Sequence, residues 1–163
     1  MSKSKSYKTS IDLDIETREQ IIALLNQQLA DTFDLYSQTK QAHWNVKGAQ
    51  FFQLHELFDQ LAAGLLVHVD TIAERATALG GLAMGTARMS AAASRLSDFP
   101  ADVVGSSETL GAVVSRYADL AATTRVAIET SDKLGDADTA DLFTGVSRDL
   151  DKSLWFLEAH LQA

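Results

Sequence analysis

Residues 40–81 read KQAHWNVKGAQFFQLHELFDQLAAGLLVHVDTIAERATALGG and contain a long helical pattern. From residue 49 to residue 79, apolar side chains recur every three or four positions, which is the spacing of one helix face. Gly48 precedes the pattern and Gly80-Gly81 follow it, and glycine commonly ends helices. The stretch therefore predicts one helix of roughly 45 Å, at about 1.5 Å per residue.

Three more helices are predicted around this one. The first covers residues 16–46, the third begins with Ser107 as its cap and ends at Gly135, and the fourth begins near Asp138. Residues 80–106 hold the only proline and a short helix-like piece at 87–96, so they are too long for a tight turn. Two helix pairs joined by one long crossover are typical of an all-α, ferritin-like four-helix bundle.

The composition limits the kinds of site that the chain can build. It has no cysteine, so it has neither disulfides nor thiolate metal sites, and any metal must be held by His, Asp and Glu. Such ligands suit iron, manganese or zinc. Neither a membrane-length apolar run nor the apolar segment of a signal peptide is found, and we expect a cytoplasmic protein.

Charge is distributed unevenly along the chain. Its net charge is −8, but the first ten residues carry Lys3, Lys5 and Lys8 and no acid. We expect residues 1–14 to form a flexible basic arm and residues 15–163 to form the single folded domain. Such an arm could bind DNA phosphates or serve only as a solubilising tail.

Metal-binding residue types form a stripe along the second predicted helix. On a helical wheel with about 100° per residue and His55 at 0°, Asp59 lies near 40°, Asp70 near 60° and Glu74 near 100°. The predicted core positions lie on the other side, between about −120° and −60°; they are Leu54, Phe58, Leu61, Leu65 and Ile72. Single exposed carboxylates are usually just solvated, but here they alternate with apolar residues on a face that points away from the core.

The length of the helix then requires a second copy of it. His55 and Asp70 are separated by roughly 22 Å along the axis, so the two pairs cannot bind one ion within one chain. Two antiparallel copies about a two-fold axis would bring His55 and Asp59 opposite Asp70 and Glu74. Small apolar residues on or beside this side would allow close approach; they are Ala62, Ala63, Leu66 and Ala73. His43, near the end of the first helix, could add another nitrogen.

With these elements in order, the chain resembles the Dps family of mini-ferritins. Residues 40–81 contain the family's H-W-N, H-E-x-x-D and D-x-x-x-E elements, and residues 139–162 resemble its last helix. The resemblance implies a hollow dodecamer built from two-fold dimers, with an iron-oxidising site at each dimer interface. The positions that match the family's metal ligands are His43, His55 and Asp59 of one subunit and Asp70 and Glu74 of the next.

The implied activity is that of a ferroxidase. Members of this family oxidise ferrous iron, preferentially with hydrogen peroxide, and store the ferric mineral in the cavity, which protects DNA from oxidative damage. Iron is the implied metal, although the same ligands would also accept zinc or another divalent ion. Some members bind DNA through a lysine-bearing arm, so a nucleoid-associated DNA-binding protein is the alternative function.

The resemblance also suggests roles for residues outside the stripe. Asp136 and Asp141 would line a pore through which iron enters, although acids at a helix start also cap it. Trp44 and Trp155 would intercept radicals near the site, or would simply pack at helix ends. His68 and His160 match no ligand of the family, and we expect structural roles for them.

Overall fold

The computed structural model describes residues 6–162, which form five α-helices. They are α1 (Ile15–Asn45), α2 (Phe51–Ala78), α3 (Ala87–Ala93), α4 (Ser106–Lys133) and α5 (Ala137–Ala159). Within these residues the only β pairing is one isolated bridge between Lys47 and Gly105. The prediction of an all-α bundle, with a long crossover that contains a short helix, is confirmed.

Glycines follow three of the helices, as the sequence predicted: Gly80 and Gly135 come directly after a C-cap, and Gly48 comes two residues after one. Gly48, Gly80 and Gly135 have φ angles of 115°, 87° and 81°, in the region that glycine adopts without a steric penalty. The predicted cap Ser107 is wrong, because α4 begins at Ser106 with Gly105 as its N-cap. Ser106 Oγ instead donates to the Lys47 carbonyl at 2.7 Å, which ties the crossover to the turn between α1 and α2.

The core is a single apolar cluster to which all four long helices contribute. Leu25 of α1, Phe58 of α2, Leu120 of α4 and Phe143 of α5 are each completely buried. Along the chain, α1 pairs with α2 and α4 pairs with α5, so the crossover connects two helical hairpins. This arrangement fixes the direction of α2, whose outward face carries the predicted ligands.

Polar contacts hold the crossover against α1, and one of them involves a buried carboxylate. Asp31 is fully buried and accepts hydrogen bonds from the Arg95 backbone N–H at 2.8 Å and from its guanidinium at 2.6 Å. The Asn26 amide donates to the Leu82 carbonyl at 2.9 Å and accepts from the Met84 N–H at 2.7 Å. Because these bonds lie at both ends of α3, the position of this short helix against α1 is well defined.

The segment before α1 lies against the body where the structure describes it. The Tyr7 N–H donates to the Gly80 carbonyl at 2.7 Å, and Ile11 and Leu13 pack against the core. Lys8 is exposed, whereas Lys3 and Lys5 lie outside the described residues. The division of the chain at residue 14 stays a prediction. No helix within residues 6–162 is long and apolar enough to cross a membrane.

Candidate metal centre

Two histidines face each other where α1 ends and α2 begins. The rings of His43 and His55 stack with their centroids 3.8 Å apart and their planes 20° from parallel. His43 Nδ1 lies 2.7 Å from the His55 carbonyl oxygen, and His55 Nδ1 lies 2.9 Å from the His43 carbonyl oxygen. Because a carbonyl oxygen can only accept, each Nδ1 carries the proton, and in the neutral imidazole the Nε2 lone pair is then the one that can bind a metal ion.

Asp59 lies one turn after His55 and supplies a carboxylate to the same place. Its Oδ1 is 4.0 Å from His43 Nε2. Two ligand atoms that each lie about 2.1 Å from one metal ion are separated by roughly 3 to 4 Å, so this pair can share an ion after a small movement. We call His43, His55 and Asp59 the nitrogen-rich half-site.

Lys40 occupies a position beside this half-site that the sequence pattern did not single out. Its Nζ is 2.5 Å from Asp59 Oδ1, and its side chain is only 18% exposed. The hydrogen bond and the positive charge of Lys40 hold the pKa of Asp59 below its ordinary value. Asp59 is therefore ionised, and the lysine ammonium stands where a metal cation would bind that oxygen. One feature of the sequence indicates this position: Lys40 lies three residues before His43, a spacing that places two side chains on the same face of a helix.

The acidic half-site, Asp70 and Glu74, lies farther along α2, and both of its side chains are exposed. Within residues 6–162, no three His, Asp or Glu side chains of one chain come together in an arrangement that could hold a metal ion. This holds for His43, His55 and Asp59 as well. The fifteen residues from His55 to Asp70 place the acidic half-site roughly 22 Å farther along α2.

The outward face of α2 is partly apolar. Between the half-sites, Leu66 is 41% exposed and Ala63 is also exposed, while Phe52, which precedes His55, is 67% exposed. Ala62 was predicted on or beside this face, but it is 1% exposed and packs inside the subunit, because a residue at the edge of the stripe is covered by the neighbouring helices. The predicted core residues Leu54, Phe58, Leu65 and Ile72 are buried on the other side.

Known proteins share this architecture over nearly the whole chain. A family model described as a ferritin-like domain matches residues 22–163. The DNA protection during starvation protein of Agrobacterium fabrum is 48% identical over 97% of this chain and 98% of its own length. The chain belongs to the Dps family.

Solved structures of Dps proteins agree closely with this fold. DpsC from Streptomyces coelicolor superposes with a TM-score of 0.93 at 31% identity, covering 98% of this chain and 93% of that one. A Dps protein from Vibrio cholerae O1, a member of a broad superfamily of ferritin-like diiron-carboxylate proteins, gives 0.88 at 26% identity over 98% and 100%. The Dps fold therefore extends beyond residues 22–163 to almost every described residue.

The two aspartates proposed for a Dps pore have different surroundings. Asp136 is 2% exposed and is the N-cap of α5. Its Oδ1 accepts from the Thr139 N–H at 3.0 Å and from Arg75 Nη2 at 2.7 Å, while Oδ2 accepts from the Thr139 hydroxyl at 2.5 Å. These contacts match the capping alternative. Asp141 is exposed, so it is the better candidate for a pore, which stays a prediction.

The two tryptophans are exposed, whereas the two remaining histidines contact other groups of the same subunit. Trp44 and Trp155 are 65% and 64% exposed, so neither indole is covered within one subunit. His68 Nε2 lies 3.0 Å from Asp149 Oδ2, and His160 Nδ1 lies 2.8 Å from the Phe156 carbonyl oxygen. These histidine contacts are of the ordinary structural kind.

Proposed function

We propose that this protein oxidises ferrous iron and stores the ferric product, at sites that are each completed by two subunits. The observation that carries the proposal is the outward face of α2, which bears a nitrogen-rich half-site near one end and an acidic half-site near the other. A two-fold axis across this face joins unlike halves and generates two identical sites per dimer.

The half-sites also define the register of the dimer. Pairing residue 57, midway between His55 and Asp59, with residue 72, midway between Asp70 and Glu74, places the axis between residues 64 and 65. At this register Ala63 faces Leu66 of the partner subunit, so a large side chain meets a small one on each side of the axis. The exposed apolar surface of α2 is then covered by the same contact that completes the metal sites.

The ligand types suit both oxidation states of iron. Neutral imidazoles bind ferrous iron, and carboxylates stabilise the ferric ion that forms. Two ferrous ions supply two electrons, so hydrogen peroxide is reduced to two water molecules with the uptake of two protons, and no hydroxyl radical is released. Zinc or another divalent ion would compete for the same donors.

The relatives support the physiological part of the proposal. The Agrobacterium fabrum relative is named a DNA protection during starvation protein, and the Vibrio cholerae protein is described as a member of the diiron-carboxylate proteins. By analogy, we propose that this chain assembles into a dodecamer with an internal mineral and protects DNA by removing iron and peroxide together. Asp141 would line the pore through which iron enters.

Rapid mixing with ferrous iron tests the activity. We expect purified protein to oxidise Fe²⁺ faster than buffer does, and faster with hydrogen peroxide than with oxygen alone, as measured by the absorbance of the ferric product. A spin trap should report fewer hydroxyl radicals than in a protein-free mixture. Oxidation at the buffer rate with both oxidants would refute the proposal.

Lys40 should weaken metal binding, because its ammonium competes with the metal ion for Asp59. Replacing Lys40 with Met keeps most of the apolar stem but removes the charge. We expect the affinity for Zn²⁺ to rise severalfold by titration calorimetry, because the substitution removes a cation that competes for the Asp59 carboxylate. Lys47→Met is the matched control, since Lys47 is exposed and its Nζ contacts the Asn45 carbonyl instead. Equal changes in both variants would show an effect of net charge alone.

DNA binding through the arm remains the alternative function, and exposed Lys8 is its only lysine within the described residues. Deleting the first ten residues would also remove the bond from Tyr7 to Gly80, so substitution is the cleaner experiment. A low-salt gel shift should compare the parent with a variant in which Lys3, Lys5 and Lys8 are all replaced by Gln. A shift that only the parent gives would support the alternative, and the absence of any shift would remove DNA binding.

A further inference from the structure

A groove lined by methionine and alanine side chains lies between α1 and α3. Its walls include Met84 and Met89, with exposures of 43% and 41%, and its volume, open to solvent, is about 410 Å³. The other apolar wall residues are Ala23, Ala92 and Ala93. We call this cavity the methionine groove. Two of the three methionines of the chain line it.

The walls of the groove are held in place while its lining is adaptable. The Asn26 side chain fixes the backbone at Leu82 and Met84, and Gln27 Nε2 donates to the Ala93 carbonyl at 2.9 Å. The methionine side chains have three rotatable bonds and a polarizable sulfur, so they adjust to an aromatic ring placed among them. The groove is therefore a preformed apolar site rather than a gap left by a loose loop.

The groove and the ligand stripe of α2 point in the same direction. Lys40 on α1 reaches Asp59 on α2, so this side of α1 faces the same way as the stripe. Trp44 is one residue after His43 and carries its indole on that side, where Lys40 Nζ lies 5.7 Å from the ring. Asn26 is eighteen residues before Trp44, which is about five full helical turns, so the groove and Trp44 share one face of α1.

The dimer register brings Trp44 of one subunit to the groove of the other. His43 lies beside His55, and α1 runs antiparallel to α2. Trp44 is therefore level with Leu54 of α2, which means that the two residues lie at the same height along the helix axes. In the proposed dimer Leu54 is level with Arg75 of the partner subunit. The residue of α1 that is level with Arg75 is Ala23, which lies in the wall of the groove. The contact between Arg18 and the Leu79 carbonyl, at 3.0 Å, independently supports this alignment of α1 and α2 along their axes.

We infer that the methionine groove receives Trp44 of a second copy of this chain. The inference rests on the proposed function, since it uses the two-fold register of the iron site. One indole then enters each of the two grooves of a dimer and makes sulfur–aromatic contacts with Met84 and Met89. The docked tryptophan follows His43 directly, so this contact also fixes the end of α1 that supplies a metal ligand.

Tryptophan fluorescence tests the inference, because the chain has only two tryptophans. In a Trp155→Phe background, all emission comes from Trp44. We expect blue-shifted emission and several-fold weaker quenching by acrylamide in the assembled protein than in the same protein dissociated by Leu66→Glu. Replacing Met84 and Met89 together by Ser should make Trp44 as quenchable as in the dissociated chain, while replacement of both by Leu should preserve the shielding.

The outcomes separate this inference from the proposed function. If the protein assembles and oxidises iron but Trp44 is fully quenchable, or is shielded equally in the serine variant, the groove is not its site. If the protein sediments as a monomer, both proposals fail. Should the serine variant not fold, Ala23→Cys combined with Trp44→Cys gives a second measurement. This otherwise cysteine-free chain should then form disulfide-linked dimers that neither single variant forms, and their absence would overturn the inference.

Discussion

Co-expression of two inactive variants should restore about a quarter of the parental rate of iron oxidation. One variant replaces His55 and Asp59 with Ala, and the other replaces Asp70 and Glu74 with Ala. Each homodimer lacks one half of both of its sites, so each variant alone should lose the fast phase. Random pairing makes about half of the dimers mixed, and each mixed dimer has one intact site out of two.

The restored rate distinguishes a shared site from a site within one subunit. A site built within one chain would be damaged in both variants, so mixing them would restore nothing. Absorbance of the ferric product in the co-purified protein measures the rate. A preparation that combines the first variant with the parent provides the control, because it should contain about half of the intact sites. No recovery in the mixed protein, with normal assembly, would contradict sharing.

Replacing Leu66 with Glu should separate the subunits and abolish fast iron oxidation. In the proposed dimer Leu66 lies next to the axis, where a carboxylate would be buried against Ala63 of the partner subunit, one helical turn from the negative charge of Asp70. The cost of such burial is several kcal/mol, so the dimer dissociation constant should rise roughly a thousandfold or more. Sedimentation velocity measures the loss of assembly, and circular dichroism should show unchanged helix content because Leu66 is already 41% exposed.

A charge added elsewhere provides the matched control for this variant. Ser115→Glu adds the same carboxylate at an exposed position of α4, away from the face that carries the half-sites. It should keep both the assembly and the oxidation rate. If Leu66→Glu also left the assembly intact, the subunits would have to meet through another surface, and the shared site would lose its physical basis.

The regular features of the sequence predicted the fold well. A period of 3.6 residues and three glycines with positive φ determine the helices, since both effects act within a few neighbouring residues. The helix wheel of α2 also separated the core stripe from the ligand stripe correctly. Serine favours the N-cap position, which predicts Ser107 as the cap, but Gly105 is the N-cap and the helix begins two residues earlier than that prediction.

The parts that could not be predicted depend on contacts between helices. The position of Lys40 against Asp59 follows from the packing of α1 on α2, which a pattern within one helix does not reveal. The burial of Asp136 depends in the same way on Arg75, sixty-one residues before it along the chain. The methionine groove requires α3 to be held against α1 by Asn26, Gln27 and Asp31. Periodicity thus predicts which face is outward, and tertiary contacts decide what each outward side chain can bind.

Anomalous diffraction from crystals soaked in Fe²⁺ without oxygen, or in Zn²⁺, tests the shared site most directly. The anomalous peaks should lie in pairs about each two-fold axis. Each peak should be bound by His43, His55 or Asp59 of one subunit together with Asp70 or Glu74 of the partner subunit, with Lys40 displaced from Asp59. Peaks bound by residues of a single subunit, or located inside the four-helix bundle, would contradict the account.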